Sequence, residues 1–488
     1  MRSEALWIVG GRIANAILLL LALRMMTTLL PPDAYGLLAL LTAFQAFAGL
    51  ILLNPSGQYL NRHTHQWHAE GSLDSRIKAY ARYWLWVSVL TGVLAAVWFA
   101  QSQAGSGLSL AYCTGLAVAA AIYLFTLQGM DVSRLNMLGY RRESVTWQLT
   151  ATASGLAFSS ALSFFWPSAL AWLAGQAVGA GLAHLGAWRV LRRAGKSEAE
   201  AKRYRARELL LQADFLRFAL PLALVTSLLW LEGNGYRLIL ERAWSLSLLG
   251  LFALALSVPA QMTALLESIV TQLVYPYFFK ALSGEASAPH HARIVSSMVN
   301  VLLPLYVLWG AFLLLSAPHV LRLLTDSRYH EAAQWVFVGV AAEIARLIGN
   351  AWQLVAQAEK NFAPTVLPFA VGAVGVLAGA GLSAMFAWQP GQFGHVLLAA
   401  LYLKMALNVA AMRGRMPIHV SLRRLLPALA VLAVAVTASF MLPTRFDPVP
   451  ALVYLLAVSA IVAVPVAIHL RTSPDVRFLF SHRLREGV

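Results

Sequence analysis

Apolar runs of about twenty residues recur from one end of this 488-residue chain to the other, and a run of that length carries an α-helix across the roughly 30 Å hydrocarbon core of a bilayer. Only 12% of the residues are charged while 59% are hydrophobic, too little polar surface for a fold whose exterior must be wetted. In lipid, backbone polar groups must be satisfied within the segment, which leaves helices as the spanning structure for runs of this length. The expected fold is therefore an all-α polytopic membrane protein. Fourteen spans are read, near 5–28, 36–60, 79–100, 109–132, 145–166, 168–190, 214–238, 247–275, 294–315, 331–355, 364–387, 393–412, 424–442 and 450–470.

No small-residue cleavage pattern closes 13–28, so that segment is read as a permanent helix and not a signal peptide. Cys113 is the sole cysteine, which excludes an intramolecular disulfide and a thiolate metal site. The net charge of +16 is spread through the gaps between apolar runs and does not sit on one soluble domain, so it speaks of topology and not of nucleic acid. With the N-terminus inside, 24 of the 37 Lys and Arg residues fall on inside segments and four on outside ones. That bias places both termini in the cytoplasm. The longest outside loop is read at 316–330, about 15 residues. The longest inside connection, 191–213, has helical composition with Glu198 and Lys202 at i,i+4; it reads as a basic interfacial helix joining two halves.

The halves resemble each other. Arg24 to Leu40 can be laid over Arg237 to Leu254 with one residue of slack: an arginine closes a helix, a short turn follows, and Gly36 or Gly250 opens the next with Gly-Leu-x-Ala-Leu. Six helices separate the two copies, so both run the same way through the membrane, and parallel repeats about the membrane normal are a transporter architecture. The expected organisation is a six-helix bundle over 1–190, the basic linker 191–213, a second six-helix bundle over 214–412, and two additional spans with a cytoplasmic tail over 413–488.

An early helix ending in Arg24, then Leu-Pro-Pro-Asp-Ala-Tyr-Gly at 30–36, then Asn-Pro-Ser-Gly-Gln-Tyr-Leu-Asn-Arg at 54–62, resembles the polysaccharide-biosynthesis flippases of the multidrug/oligosaccharidyl-lipid/polysaccharide exporter superfamily. Residues 218–240 are similar to that family's seventh helix, opened by a Leu-Pro. The chain departs from the family where Tyr236 stands in place of the Asp that would precede Arg237, leaving Glu232 as the nearest acid. The resemblance implies a non-enzymatic flippase. It would carry a polyprenyl-diphosphate-linked oligosaccharide from the cytoplasmic to the outer leaflet of the inner membrane, by alternating access around a cationic cavity. Expected partners are that cargo, membrane lipids and other polysaccharide-assembly proteins, with no nucleic acid. No cofactor is expected; coupling to a proton or sodium gradient stays open. Two alternatives stand beside this reading. A cation-coupled drug exporter of the same superfamily usually has twelve spans, and a membrane-embedded polymerase or ligase would need a larger outside loop.

Such a cargo needs cations at membrane depth, where a charge is costly unless it faces a cavity or a partner. Arg12, Arg24, Arg237, Arg346 and Lys404 are the candidates for substrate binding, against snorkelling of long side chains to the interface. Candidates for gating or coupling are Glu232, Glu267 and Glu343, the last three residues from Arg346 and able to pair with it. Asn54, Pro55 and Gly57 join them, because proline removes a backbone hydrogen bond and distorts the inner third of the second span. Asp131 is given little weight, near the inner edge of its span. His63, His65 and His68 lack a regular zinc spacing, and no metal site is expected. Gly175-x-x-x-Gly179 and Gly375-x-x-x-Gly379 read as close helix packing.

Overall fold

A computed structural model of the chain describes residues 2–102, 107–194, 204–282, 288–441 and 448–481. In chain order its helices are α1 (Arg2–Leu29), α2 (Pro32–Phe47), α3 (Asn54–Ala69), α4 (Leu73–Ser102), α5 (Leu108–Met137), α6 (Arg141–Phe165), α7 (Ala169–Ala194), α8 (Ala206–Leu210), α9 (Ala213–Trp230) and α10 (Tyr236–Leu240). There follow α11 (Leu246–Leu273), α12 (Tyr275–Leu282), α13 (Ala288–Leu324), α14 (Val336–Trp352), α15 (Leu354–Ala358), α16 (Ala363–Phe386), α17 (Pro390–Arg413), α18 (Leu422–Met441), α19 (Pro448–Thr472) and α20 (Pro474–Ser481). A π-helical turn, Ala48–Leu53, joins α2 to α3, a second, Leu231–Gly235, joins α9 to α10, and a 3-10 stretch, Ser327–Trp335, leads into α14. Among the described residues there is no strand.

The protein is thus an all-helical polytopic membrane protein. Among the described residues, twelve helical segments are apolar and long enough to cross a membrane, and α6 and α7, where spans five and six were expected, are long but more polar. Their polarity is spent between them. Cβ atoms on Gly175 and Gly179 would stand 2.2 Å from the backbone nitrogens of Ser159 and Gly155, so the helices touch backbone to backbone, and the Ser159 hydroxyl donates to the Trp172 carbonyl at 2.7 Å. Small residues that admit this approach replace the bulk on which hydropathy depends. Gly375 and Gly379 serve the same purpose in α16, against Ala400 and Val396 of α17.

The chain divides into two compact units, Met1–Gly250 and Leu251–Val488. The first extends beyond residue 214, where the repeat begins its second copy, because α9 packs on α3 and on the 48–53 turn. Its core gathers Leu41, Leu60, Tyr80, Trp84 and Val118. In the second unit α13 is the central helix, packed by α14, α18, α19 and α20. The 316–330 segment corrects the sequence reading: α13 runs on through Leu324 with Pro318 inside it, and the 3-10 stretch starts at Ser327. His319 and Arg322 looked like loop residues, but His319 is buried against the Tyr454 ring at 4.5 Å, and Ser316 returns its hydroxyl to the Phe312 carbonyl. Asp326 then accepts the Arg328 backbone N–H and begins the 3-10 stretch. The Glu198 and Lys202 pairing expected in the linker lies outside the described residues.

Candidate functional site

In the second unit, Glu267 joins the Glu343–Arg346 pair that the sequence spacing suggested. Arg346 on α14 places Nη1 and Nη2 at 3.0 and 2.9 Å from the two carboxylate oxygens of Glu267 on α11, a fork-to-fork geometry that suits guanidinium and carboxylate. One turn back on its own helix, Glu343 accepts from Arg346 Nε at 3.1 Å and Nη2 at 2.7 Å. Asn350 completes the cluster, donating to Glu267 Oε1 at 3.1 Å. The helical repeat explains α14's share, since 343, 346 and 350 fall on one face. Four hydrogen bonds occupy the guanidinium, so in this arrangement Arg346 has little left to offer a phosphate. Two carboxylates face one guanidinium, and the surplus negative charge is partly open to solvent, with the Glu267 side chain 28% exposed. A site of that kind suits a proton or a small cation.

In the first unit the two repeat copies meet at their glycines. A Cβ on Gly36 would lie 1.9 Å from the Leu246 carbonyl oxygen, and one on Gly250 would lie 2.4 Å from the Pro32 carbonyl oxygen. Each glycine therefore packs against the carbonyl four residues before the other, the reciprocal contact expected of a duplicated motif about an axis. Pro31, extended at φ −74 and ψ 160, caps α2, and Pro32 and Asp33 occupy its first turn, positions where a missing N–H and a negative charge suit a helix start. The turn after Arg24 is accordingly short. Arg24 is exposed on α1, and its carbonyl accepts from the Thr27 and Thr28 hydroxyls. Arg237 on α10 is half-buried, and its Nε is buried without a hydrogen-bond partner among the described residues. Helix α2 touches both α1 and α10, so the two arginines sit on helices that share a neighbour.

Both π turns flank this region. The Asn54 N–H reaches back five residues to Gly49, ahead of Pro55, which has no N–H to give. Carbonyls loosened by the irregularity find side chains: Tyr83 donates to Leu52 at 2.9 Å, and Ser56, itself held by Trp84 Nε1 at 3.0 Å, donates to Leu53 at 2.7 Å. A Cβ on Gly57 would meet only the Met130 sulfur, at 3.5 Å. The second turn, Leu231–Gly235, holds Glu232; Trp230 at its entry donates to the Ala43 carbonyl at 2.8 Å and packs on Phe47. Single π turns within helices concentrate at functional sites.

The other candidates are dispersed. Arg12 is exposed on α1. Lys404 lies over the Phe369 ring at 4.4 Å. His63 is committed to α3, with Nδ1 2.8 Å from the Tyr59 carbonyl and its ring stacked on Trp67; among the described residues no group of three His, Cys, Asp or Glu could hold a metal. Asp131, given little weight in the sequence reading, is partnered in the fold. It is buried, with Oδ2 2.7 Å from His184 Nδ1 and Oδ1 3.7 Å from Arg134, which also pairs with Asp74. Only Arg134, one turn away, was a visible partner; His184 is 53 residues distant on α7.

Apolar helical segments that hold charged clusters define a polytopic membrane fold. The chain belongs to the polysaccharide biosynthesis protein family, whose sequence pattern matches residues 2–282. Among solved structures, the fold resembles that of a lipid II flippase, MurJ, in an inward closed conformation, with a TM-score of 0.66 at 11% identity, covering 96% of this chain and 99% of that one. It also resembles a multidrug-resistance MATE family transporter of the MOP superfamily in its inward-facing conformation (TM-score 0.50, 14% identity, 87% of this chain and 96% of that one). The outward-facing form gives 0.51 at 13%, with 84% and 92% covered. No curated protein matches the sequence.

Proposed function

We propose that the protein is a flippase that moves a polyprenyl-diphosphate-linked oligosaccharide from the cytoplasmic to the outer leaflet of the inner membrane, with both termini cytoplasmic. The observation that carries the reading is the family match joined to a fold that agrees with a lipid II flippase over 96% of the chain. That agreement takes in the region beyond α17, where α18 and α19 are two of the twelve candidate spans. A lipid-linked cargo has a charged head that cannot cross hydrocarbon and a tail that can remain in it. The task asks for cations and for helices that rearrange, and for no covalent chemistry. Arg24 and Arg237 are the cations assigned to the diphosphate, since a guanidinium stays charged at cellular pH and offers a planar fork of donors.

The Glu267–Glu343–Arg346–Asn350 cluster is assigned to coupling. Its surplus carboxylate takes a proton or a small cation, and that changes how firmly Arg346 ties α11 to α14. The test is reconstitution of the full chain into liposomes with a fluorescent polyprenyl-diphosphate oligosaccharide, scoring protected against accessible label with and without an imposed proton or sodium gradient. Transfer by wild type that accelerates with one gradient, and loses that acceleration in Glu267→Gln, supports the assignment. Absence of transfer by folded protein removes the flippase reading; transfer with the same gradient response in Glu267→Gln removes the coupling role alone.

A further inference from the structure

The second unit holds a cavity of about 720 Å³ that shares no residue with the transport cluster. Helices α13, α18 and α19 form its walls, and the start of α20 closes it. Its lining differs in chemistry: Leu308, Ala428, Val431 and Ile468 are apolar, while Arg423 and Arg424, in the first turn of α18, and His469, in the last turn of α19, form its basic end. The volume lies within the range of ligand sites, which combine apolar walls with a few convergent polar groups.

The polar end is largely built. Arg424 pairs with Asp475 of α20, which fixes α20 against α18. His469 is buried with Nε2 3.1 Å from the Val301 carbonyl. Ser421, just ahead of α18, donates its N–H to Asn300 at 2.8 Å. Arg423 is different: it is exposed at the cavity's lining and has no ion-pair partner among the described residues. With Arg424 matched by Asp475, Arg423 supplies one uncompensated positive charge beside an apolar recess. Prolines 304, 427 and 465 sit inside the three wall helices, where each deprives the carbonyl four residues back of its helical donor and bends the helix.

We infer that this cavity binds an anionic membrane lipid, whose headgroup phosphate sits against Arg423 and whose first acyl segments enter the recess of Leu308, Ala428, Val431 and Ile468. The charge complementarity decides the occupant. A neutral apolar ligand leaves the guanidinium unused, a free phosphate leaves the apolar walls unused, and a phospholipid with net negative charge uses both. Under the positive-inside reading the basic end lies at the cytoplasmic face, where basic pockets between helices take lipid phosphates.

The test uses full-length protein in detergent, supplied with phosphatidylglycerol or phosphatidylcholine of identical chains and read by native mass spectrometry. Phosphatidylglycerol should be retained about tenfold over phosphatidylcholine, a ratio in keeping with one charge-assisted contact. Arg423→Gln should abolish that preference while Arg207→Gln, at an exposed basic position elsewhere, keeps it. Val431→Trp should lower retention of both lipids by filling the recess. Equal retention of the two lipids by wild type, or an undiminished preference in Arg423→Gln, overturns the proposal. Displacement of phosphatidylglycerol by millimolar inorganic phosphate would reassign the cavity to a free anion, and displacement by stoichiometric polyprenyl diphosphate would reassign it to the cargo; either result also overturns it.

Discussion

Replacing Gly36 with alanine tests whether the duplicated motif is a structural joint. The new Cβ would stand 1.9 Å from the Leu246 carbonyl oxygen and 2.7 Å from its carbon, whereas real contacts do not fall under 3.0 Å. Both opposing atoms are backbone, so no rotamer change relieves the clash, and α2 must move from the start of α11 by more than an ångström. Overpacking of this sort costs about 1–3 kcal/mol, and the better helix propensity of alanine returns at most about 1. The net loss, up to about 2 kcal/mol, should lower the melting temperature by several degrees, at roughly 2–4 °C per kcal/mol for a unit of this size. Gly250→Ala meets the Pro32 oxygen at 2.4 Å and should cost less. The double variant should cost less than the sum, because helices already parted for one methyl leave room for the other. Gly129→Ala, whose Cβ meets nothing within 4 Å, reports the propensity gain alone and should be neutral or stabilising. The assay is fluorescence-detected size exclusion of detergent-solubilised protein after heating. A Gly36→Ala melting temperature equal to that of Gly129→Ala would refute the joint.

Pro55→Ala restores a backbone donor after the 48–53 turn and should slow flux in the liposome assay with cargo binding intact; unchanged flux would assign that turn to static packing. Arg24→Lys and Arg237→Lys should each weaken apparent cargo affinity about tenfold, as loss of a charge-assisted hydrogen bond predicts, and non-additively in combination. Near wild-type values in both would mean that the arginines only snorkel. Burial raises the carboxyl pKa of Glu241, just beyond α10, against the opposing pull of Arg242. The protonated form is therefore favoured by folding, and its stabilisation is complete below the ordinary value of 4.5 and lost as pH rises through the folded pKa. Glu241→Gln should raise the melting temperature at pH 7 and leave it unchanged at pH 4; an equal shift at both pH values would contradict the burial argument. On a Cys113-free background, an impermeant thiol reagent on intact cells should label a cysteine at 327 and spare cysteines at 197 and 481; labelling at 197 or 481 without permeabilisation would invert the topology.

The class of fold was written in local composition. Hydropathy over twenty residues is a property of contiguous sequence, so the apolar spans, the short Pro-Pro turn after Arg24 and the repeat at Gly36 and Gly250 were all legible before any coordinates. The small-residue seams of α6 with α7 and of α16 with α17 were legible too, because i,i+4 glycines have few other uses in an apolar helix. What depends on partners distant in sequence was not. Glu267 lies 79 residues from Arg346, and only the packing of α11 on α14 turned an expected substrate cation into the centre of an acidic cluster. Asp131 looked peripheral until α7 brought His184 to it. The π turn at Leu231–Gly235 has no proline to announce it, unlike the one before Pro55, and residues 316–324 carried loop-like chemistry that α13 absorbed once Tyr454 of α19 covered His319. Sequence determined which segments enter the membrane because desolvation is paid residue by residue; tertiary structure decided which charges survive there, because a charge in a span is stabilised only by the groups the fold sets against it.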